Sequence, residues 1–208
     1  MSNLAQLQDA IERGDRGKAV ELTQAAIDAG VDAQTTLDAM TAAMKVVGER
    51  FQRNEIFVPE MLISARAMKS ATAILEPLLV AADIRPIGVA VLGTVRGDLH
   101  DIGKNLVGMM WKGANIDVVD LGVNVSPDQF VTVARERNAK IIGVSALLTT
   151  TMVGMADVVA AVRTAGLGEV RVIVGGAPVT ADFAREIGAD GYAADAGAAV
   201  NVARGFLV

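Results

Sequence analysis

The stretch V-L-G-T-V-R-G-D-L-H-D-I-G-K-N, Val91 to Asn105, decides how the chain reads. A run of apolar, β-favouring residues (Ile87–Leu92) ends in a polar, glycine-marked turn, and a helix-like pattern resumes at about Asp101. In an open α/β sheet, ligands bind outside the carboxyl ends of the strands. His100, the one histidine of the chain, therefore stands where a ligating residue is expected, with carboxylates at Asp98 and Asp101 on either side. A lone loop histidine is ordinarily a hydrogen-bonded surface residue. A carboxylate two residues away changes that, because it can accept one ring N–H, fix the tautomer and strengthen the other nitrogen as a ligand.

Working outward, short β-branched runs recur at Ile87–Leu92, Ile116–Asp120, Lys140–Ser145 and Val170–Val174, with a weaker one at Gly191–Ala193. Helix-like segments lie between them, at Asp101–Ala114, Ser126–Asn138, Met152–Gly166, Thr180–Gly188 and Asp195–Phe206. This alternation predicts an α/β fold, a Rossmann-like (flavodoxin-like), doubly wound parallel sheet over residues 83–208. Ser126–Pro127 reads as a helix cap with proline at the first helical position. Residues 1–82 read as helices only. Leu4, Leu7 and Ile11, then Ala19, Leu22 and Ala26, recur at three- and four-residue spacing, with Gly14–Asp15 as the break. Gly30 closes the second helix. A third runs through Leu37, Met40, Met44, Val47 and Phe51, and a fourth begins near Pro59 and carries Leu62, Ala65, Met68, Ala71 and Leu75. Four amphipathic segments with short connections predict a small four-helix bundle, and Leu79–Pro86 reads as the link to the sheet.

Composition narrows the function. A chain of 208 residues, 52% hydrophobic and 21% charged, is globular; aromatics, at 3%, add little to its core. With no cysteine, disulfides, thiolate nucleophiles and cysteine zinc sites are excluded together, which fits a reducing cytoplasm. Met1 to Gly30 is polar and helix-patterned, so no secretory signal is expected. No apolar run approaches the roughly 20 residues of a membrane span. A formal charge of −5, and no basic cluster interleaved with aromatics, argue against a nucleic-acid partner. One histidine and no cysteine cannot build an ordinary transition-metal site. If His100 binds a metal, something other than this chain supplies most of the coordination sphere.

A glycine turn after a strand can hold phosphate, but the P-loop pattern fails here. Gly97 and Gly103–Lys104 are spaced one residue too far apart, and Asn105 follows where serine or threonine is required. Another pattern fits. D-L-H-D-I-G (Asp98–Gly103), S-A-L (Ser145–Leu147) and G-G (Gly175–Gly176) each end an expected strand, with 41 residues between the first two and 27 between the last two. They resemble the D-x-H-x-x-G, S-x-L and G-G signature of cobalamin-binding domains. Upstream, R-F-Q-R-N-E-I-F-V-P-E-M-L-I-S-A-R-A-M-K (Arg50–Lys69) resembles the helical cap of methionine synthase and of the corrinoid proteins of methyltransferase systems. The likeness covers nearly the whole chain.

The resemblance implies a cobalamin or related corrinoid, with its own benzimidazole off and His100 as lower cobalt ligand. Asp98 holds the far ring nitrogen, and Thr151 extends the relay at a position where methionine synthase has serine. Gly97, Asp101, Ile102 and Gly103 lie around this loop. The nucleotide tail runs past Ser145, Leu147 and Thr149 towards Gly175–Gly176, where glycine lets a bulky ligand approach the backbone. In the bundle, Phe51, Val58, Met61 and Leu62 fall where the family covers the upper face of the corrin, although Met and Phe at helical spacing usually serve as core. Trp111 reads as helix packing against the sheet.

The function so implied is a methyl carrier of one-carbon metabolism, whose cobalt cycles between Co(I) and methyl-Co(III). It takes a methyl group from a substrate-specific methyltransferase of TIM-barrel type and passes it to a second methyltransferase, with tetrahydrofolate or a thiol as acceptor. A reductive activation protein is a further expected partner, and Leu79–Pro86 is the expected hinge between cap and sheet. The alternatives are the cobalamin subunit of an adenosylcobalamin mutase, which generally lacks a cap, a cobalamin-based sensor, and a cofactor-free signalling module. A sensor's cap carries Trp and His, which residues 1–82 lack.

Overall fold

The computed structural model describes residues 3–208; Met1 and Ser2, which open the expected first helix, lie outside the described residues. Contacts divide the chain into two compact units, residues 1–86 with 113–115, and residues 87–112 with 116–208.

The first unit holds α1 (Asn3–Glu12), α2 (Arg16–Asp28), α3 (Ala33–Gln52) and α4 (Val58–Ala81). Local chemistry sets the breaks. Gly14 and Gly30 take φ +71° after α1 and α2, where a side chain would be strained. Asp15 and Asp32 then cap the next helices by accepting the N–H of Lys18 and of Thr35, both at 2.9 Å. Leu7, Ile11, Met40, Met44, Val47, Met68 and Leu75 are buried, as the helical periodicity predicts. One expectation shifts: α4 continues to Ala81, so Leu79–Ala81 are helical and only the residues after them connect the units.

The second unit is a five-stranded parallel sheet of β1 (Val89–Thr94), β2 (Asp117–Asp120), β3 (Ile141–Ser145), β4 (Arg171–Gly175) and β5 (Gly191–Ala193), in the order β2-β1-β3-β4-β5. The intervening helices are α5 (Ile102–Gly113), α6 (Pro127–Glu136), α7 (Thr149–Met152), α8 (Gly154–Thr164), α9 (Ala181–Glu186) and α10 (Ala196–Leu207). Ser126 caps α6 with Pro127 behind it, as expected. Strand residues alternate between two cores. Val91, Ile142, Val144, Val172 and Val174 pack with Phe130, Met155, Val158 and Val162 on one face. On the other, Trp111 lies over β3, its ring 2.6 Å from where a Cβ on Gly143 would sit, and its Nε1 donates to the Ala199 carbonyl at 3.0 Å.

Two boundaries depart from the sequence reading. β1 runs on through Gly93 and Thr94, because Gly93 leaves room for the Phe130 ring and Thr94 pairs with Ser145. The helix expected from Met152 is two pieces, with α7 a separate turn that starts at Thr149. The strand order reverses direction between β1 and β3, and the carboxyl ends of those strands form the switch point where such sheets bind ligands.

Candidate corrinoid site

The register lines up the strand ends: Thr94 pairs with Ser145, Ser145 with Gly175, and Gly175 with Ala193. Three motifs far apart in sequence therefore meet along one edge. The loop after β1 turns through Gly97, at φ +83°, and carries Asp98, Leu99 and His100 into the start of α5.

Asp98 is the pivot. Its side chain is fully buried, while that of His100 is half exposed. Oδ1 accepts the His100 backbone N–H at 3.0 Å and lies 2.7 Å from the ring Nδ1. Oδ2 accepts the Leu147 N–H at 2.8 Å and the Thr151 hydroxyl at 2.6 Å. Thr151 Oγ1 also lies 3.1 Å from the Leu148 carbonyl, but it has one proton, and the shorter contact to an anion takes it. Burial pushes the Asp98 carboxyl up. The Thr151 hydroxyl, the Leu147 and His100 N–H groups and the His100 ring outweigh it and hold the carboxyl well below the usual range. An anionic Asp98 keeps the proton on Nδ1, so Nε2 carries the lone pair. Nε2 has no hydrogen-bond partner among the described residues.

The other expected residues divide. Asp101 does not face the imidazole: its Oδ2 accepts Asn105 Nδ2 at 3.0 Å across the first turn of α5. Gly103 sits in that turn, and a Cβ there would meet nothing within 4 Å. Ile102 is 74% exposed and Leu99 72%, and Leu147, Leu148 and Val153 are exposed as well. So much bare apolar surface around one polar loop is the kind that marks a binding site. Leu147 also enters through its backbone N–H, and Thr149 is exposed at the start of α7. Gly175 and Gly176 are explained by the protein itself. A Cβ on Gly175 would lie 2.7 Å from the Ala193 carbonyl oxygen, and one on Gly176, at φ +134°, would lie 1.9 Å from that of Ala146. Their first role is thus close backbone packing at the strand ends.

In the helical unit, Met61 is buried, Phe51 and Val58 are half-buried and Leu62 is exposed. Phe57 and Ile63, 63% and 45% exposed, are the apolar residues that sequence periodicity passed over. An exposed aromatic just before a helix start is the signal for Phe57.

This donor set suits a metal that brings its own equatorial ligands. It offers one imidazole with an oriented lone pair, an uncovered apolar rim, and open space above the first turn of α5.

The comparisons with known proteins agree. A family described as B12 binding domain matches residues 88–201, and a second of the same description matches residues 4–76. The chain is 41% identical to corrinoid protein DSY3155 of Desulfitobacterium hafniense (strain Y51), over 100% of this chain and 98% of that protein. It is 39% identical to dimethylamine corrinoid protein 2 of Methanosarcina acetivorans, over 99% and 96%. Among solved structures, the methanol:cobalamin methyltransferase complex MtaBC from Methanosarcina barkeri superposes with a TM-score of 0.86 at 29% identity, covering 99% of this chain and 79% of that one. The chain belongs to the corrinoid proteins of methyltransferase systems, and its cofactor is a corrinoid.

Proposed function

We propose that the chain is a methyl carrier whose corrinoid is held from below by His100 Nε2 in place of the cofactor's own benzimidazole. The observation that carries this reading is the saturated, buried Asp98 carboxylate, which fixes Nδ1 as the protonated nitrogen and frees Nε2. The bound corrinoid supplies a cobalt centre able to take up and give up a methyl group. The chain's own work is to set the lower ligand. Asp98 stays anionic, strengthens the imidazole as a donor, and stabilises the imidazolium if Nε2 takes a proton instead of a metal. The Thr151 hydroxyl, donating to the far oxygen, extends that path by one group.

The displaced nucleotide tail is assigned to the slot past Ser145, Leu147 and Thr149 towards Gly175 and Gly176, with Gly97, Asp101, Ile102 and Gly103 around its upper end. In the helical unit, Phe57, Leu62 and Ile63, with Phe51 and Val58, offer apolar surface that a corrin face can cover. Met61, being buried, supports that surface from behind.

A carrier needs partners: a methyltransferase that loads it, of TIM-barrel type, a second that unloads it to tetrahydrofolate or a thiol, and a reductive activation protein. The relation to a methanol:cobalamin methyltransferase complex and to a dimethylamine corrinoid protein supports a small methylated donor. No helix among the described residues is long and apolar enough to cross a membrane, and a cytoplasmic setting is part of this proposal. The test is reconstitution with hydroxocobalamin, followed by absorption spectra, and by EPR spectra after reduction to Co(II), of wild type and His100→Ala. Spectra that do not change on losing His100 refute the ligand assignment. Methyl donors offered with candidate methyltransferases should then methylate the bound cobalt; carbon-skeleton rearrangement with adenosylcobalamin instead would overturn the carrier reading.

A further inference from the structure

Five non-glycine residues among those described have a left-handed backbone: Asn54, Asp83, Asn115, Asn124 and Asn138. Four of them close helices. In each case the next N–H returns to a carbonyl five residues back, Glu55 to Arg50, Ile84 to Leu79, Ile116 to Trp111 and Ala139 to Ala134. Asn124 has no helix to close, since it stands in the loop between β2 and α6. A left-handed residue there calls for another cause.

The cause lies across the sheet edge. Asn124 Oδ1 accepts the N–H of Gly97 at 2.8 Å, and the Asn124 backbone N–H donates to the Asp98 carbonyl at 3.0 Å. One residue thus grips both sides of the Gly97–Asp98 step from the neighbouring loop. The rest of the His100 loop is tied by buried Thr94, whose hydroxyl donates to the His100 carbonyl at 2.9 Å, and by the Val95–Val125 bridge. Those ties hold the two ends of the loop, and a turn bond from the Asp98 N–H to the Val95 carbonyl at 3.1 Å closes it; Asn124 adds the tie at the apex, on the Gly97 N–H, from outside the loop.

We propose that Asn124 is a positioning residue for the lower cobalt ligand. By clamping Gly97–Asp98 it keeps the Asp98 carboxylate under Nδ1, and so keeps Nε2 aimed for ligation. This rests on the assignment of His100 as that ligand. Both Asn124 and Gly97 are exposed, so the side-chain bond competes with water and its effect is modest. Losing it lowers the ratio of His-ligated to His-free cobalt about two- to fivefold.

The variants separate backbone from side chain. Asn124→Gly keeps the left-handed turn and removes the acceptor; Asn124→Asp keeps both, and Asp83 shows that aspartate accepts this conformation in the same chain. Full-length protein is grown on histidine carrying the heavy nitrogen isotope, which labels His100 alone. It is then loaded with cobalamin and reduced to Co(II), and nitrogen splitting is read by EPR at the acid pH where wild type holds equal amounts of both forms. The expected result in Asn124→Gly is a two- to fivefold lower ratio of His-ligated to His-free cobalt, which takes the share of cobalt showing the labelled splitting from about one half to about one third to one sixth, with near wild-type behaviour in Asn124→Asp. Equal ratios in wild type and Asn124→Gly, or an Asn124→Asp as impaired as Asn124→Gly, overturn the clamp alone. A wild-type spectrum insensitive to the label overturns the His100 assignment and the clamp with it.

Discussion

Asp98→Asn is the sharpest perturbation, because the amide has nearly the carboxylate's shape and the site has no room for a second donor. All four groups around Asp98 donate to it. Asparagine must put its NH2 at one oxygen position or the other. At the Oδ1 position, the ring can switch tautomer and accept, but then Nε2 carries the proton and loses its lone pair, and the His100 backbone N–H faces a donor. At the Oδ2 position, the Thr151 hydroxyl can turn to accept, but the Leu147 N–H cannot. Either way one backbone N–H is stranded against a donor in a buried site, at about 1–3 kcal/mol, and the surviving bonds lose the charge that strengthened them. We expect a total loss of about 3 kcal/mol. At roughly 2–4 °C per kcal/mol for a chain of this length, the thermal midpoint falls by about 6–12 °C in calorimetry of the cofactor-free protein. Where the NH2 takes the Oδ1 position, the reconstituted variant also loses nitrogen splitting from labelled His100. An unchanged midpoint together with unchanged splitting would refute the reasoning, since no arrangement of an amide satisfies four donors.

Four further outcomes follow from the same geometry. Thr151→Ser keeps the hydroxyl on Asp98 and stays within about 0.5 kcal/mol of wild type, whereas Thr151→Val removes a charge-assisted bond and costs about 1.5–3 kcal/mol in urea unfolding. Gly176→Ala drives a Cβ into the Ala146 carbonyl at positive φ and should leave little folded sheet domain by circular dichroism, while Gly103→Ala meets open space, keeps the fold, and weakens cobalamin retention on a desalting column. Lys104 is 2% exposed and paired with the 40% exposed Asp120; Lys104→Met frees a carboxylate that can rehydrate and costs under about 1 kcal/mol, but Asp120→Ala leaves the buried ammonium without its counter-charge, with Asn105 Oδ1 still accepting from it, and costs about 3 kcal/mol, with the double variant recovering much of the loss. Asp98 titrates lower folded than unfolded, so its contribution is complete above the unfolded value and drains away as pH falls towards the folded one. Between about pH 5 and pH 3 the wild-type midpoint should therefore fall more steeply than that of Asp98→Asn.

Periodicity made the architecture legible, since the switch from helical spacing to β-branched runs after Pro86 yields the four helices and five strands with ends shifted by a residue or two. The pivot of the site was legible too, because Asp98 and His100 are two residues apart and chemistry between near neighbours leaves a local trace. Spacing alone could not show partners brought from a distance. Thr151, 53 positions from Asp98, was expected through the resemblance only, while the Leu147 N–H on Asp98 from 49 positions away and the hold of Asn124 on Gly97 from 27 left no trace in the sequence. Asp98 and Asp101 look equivalent around His100 in the sequence. Only the fold separates them, because Asp101 stands immediately before α5 and is drawn to Asn105 one turn along. The glycine pair has a role that the sequence did not show, since a Cβ at either position would meet the chain's own carbonyl oxygens.

The spacing of the three motifs is itself a statement of topology. Between Gly103 and Ser145 the chain must complete α5, go out to β2 on one side of β1, and return through α6 to β3 on the other. Between Leu147 and Gly175 it makes a single crossover, through α7 and α8, to the adjacent strand. The first gap is longer, at 41 residues against 27, because it contains a strand that carries no signature residue of its own. Parallel neighbours need a crossover of a dozen residues or more, so neither gap can shrink much without changing the strand order. A motif displaced by one strand would end its loop away from the switch point, and Asp98 would lose Leu147 and Thr151 together. The order of strands, rather than any one side chain, is what lets a single histidine be oriented from two loops at once.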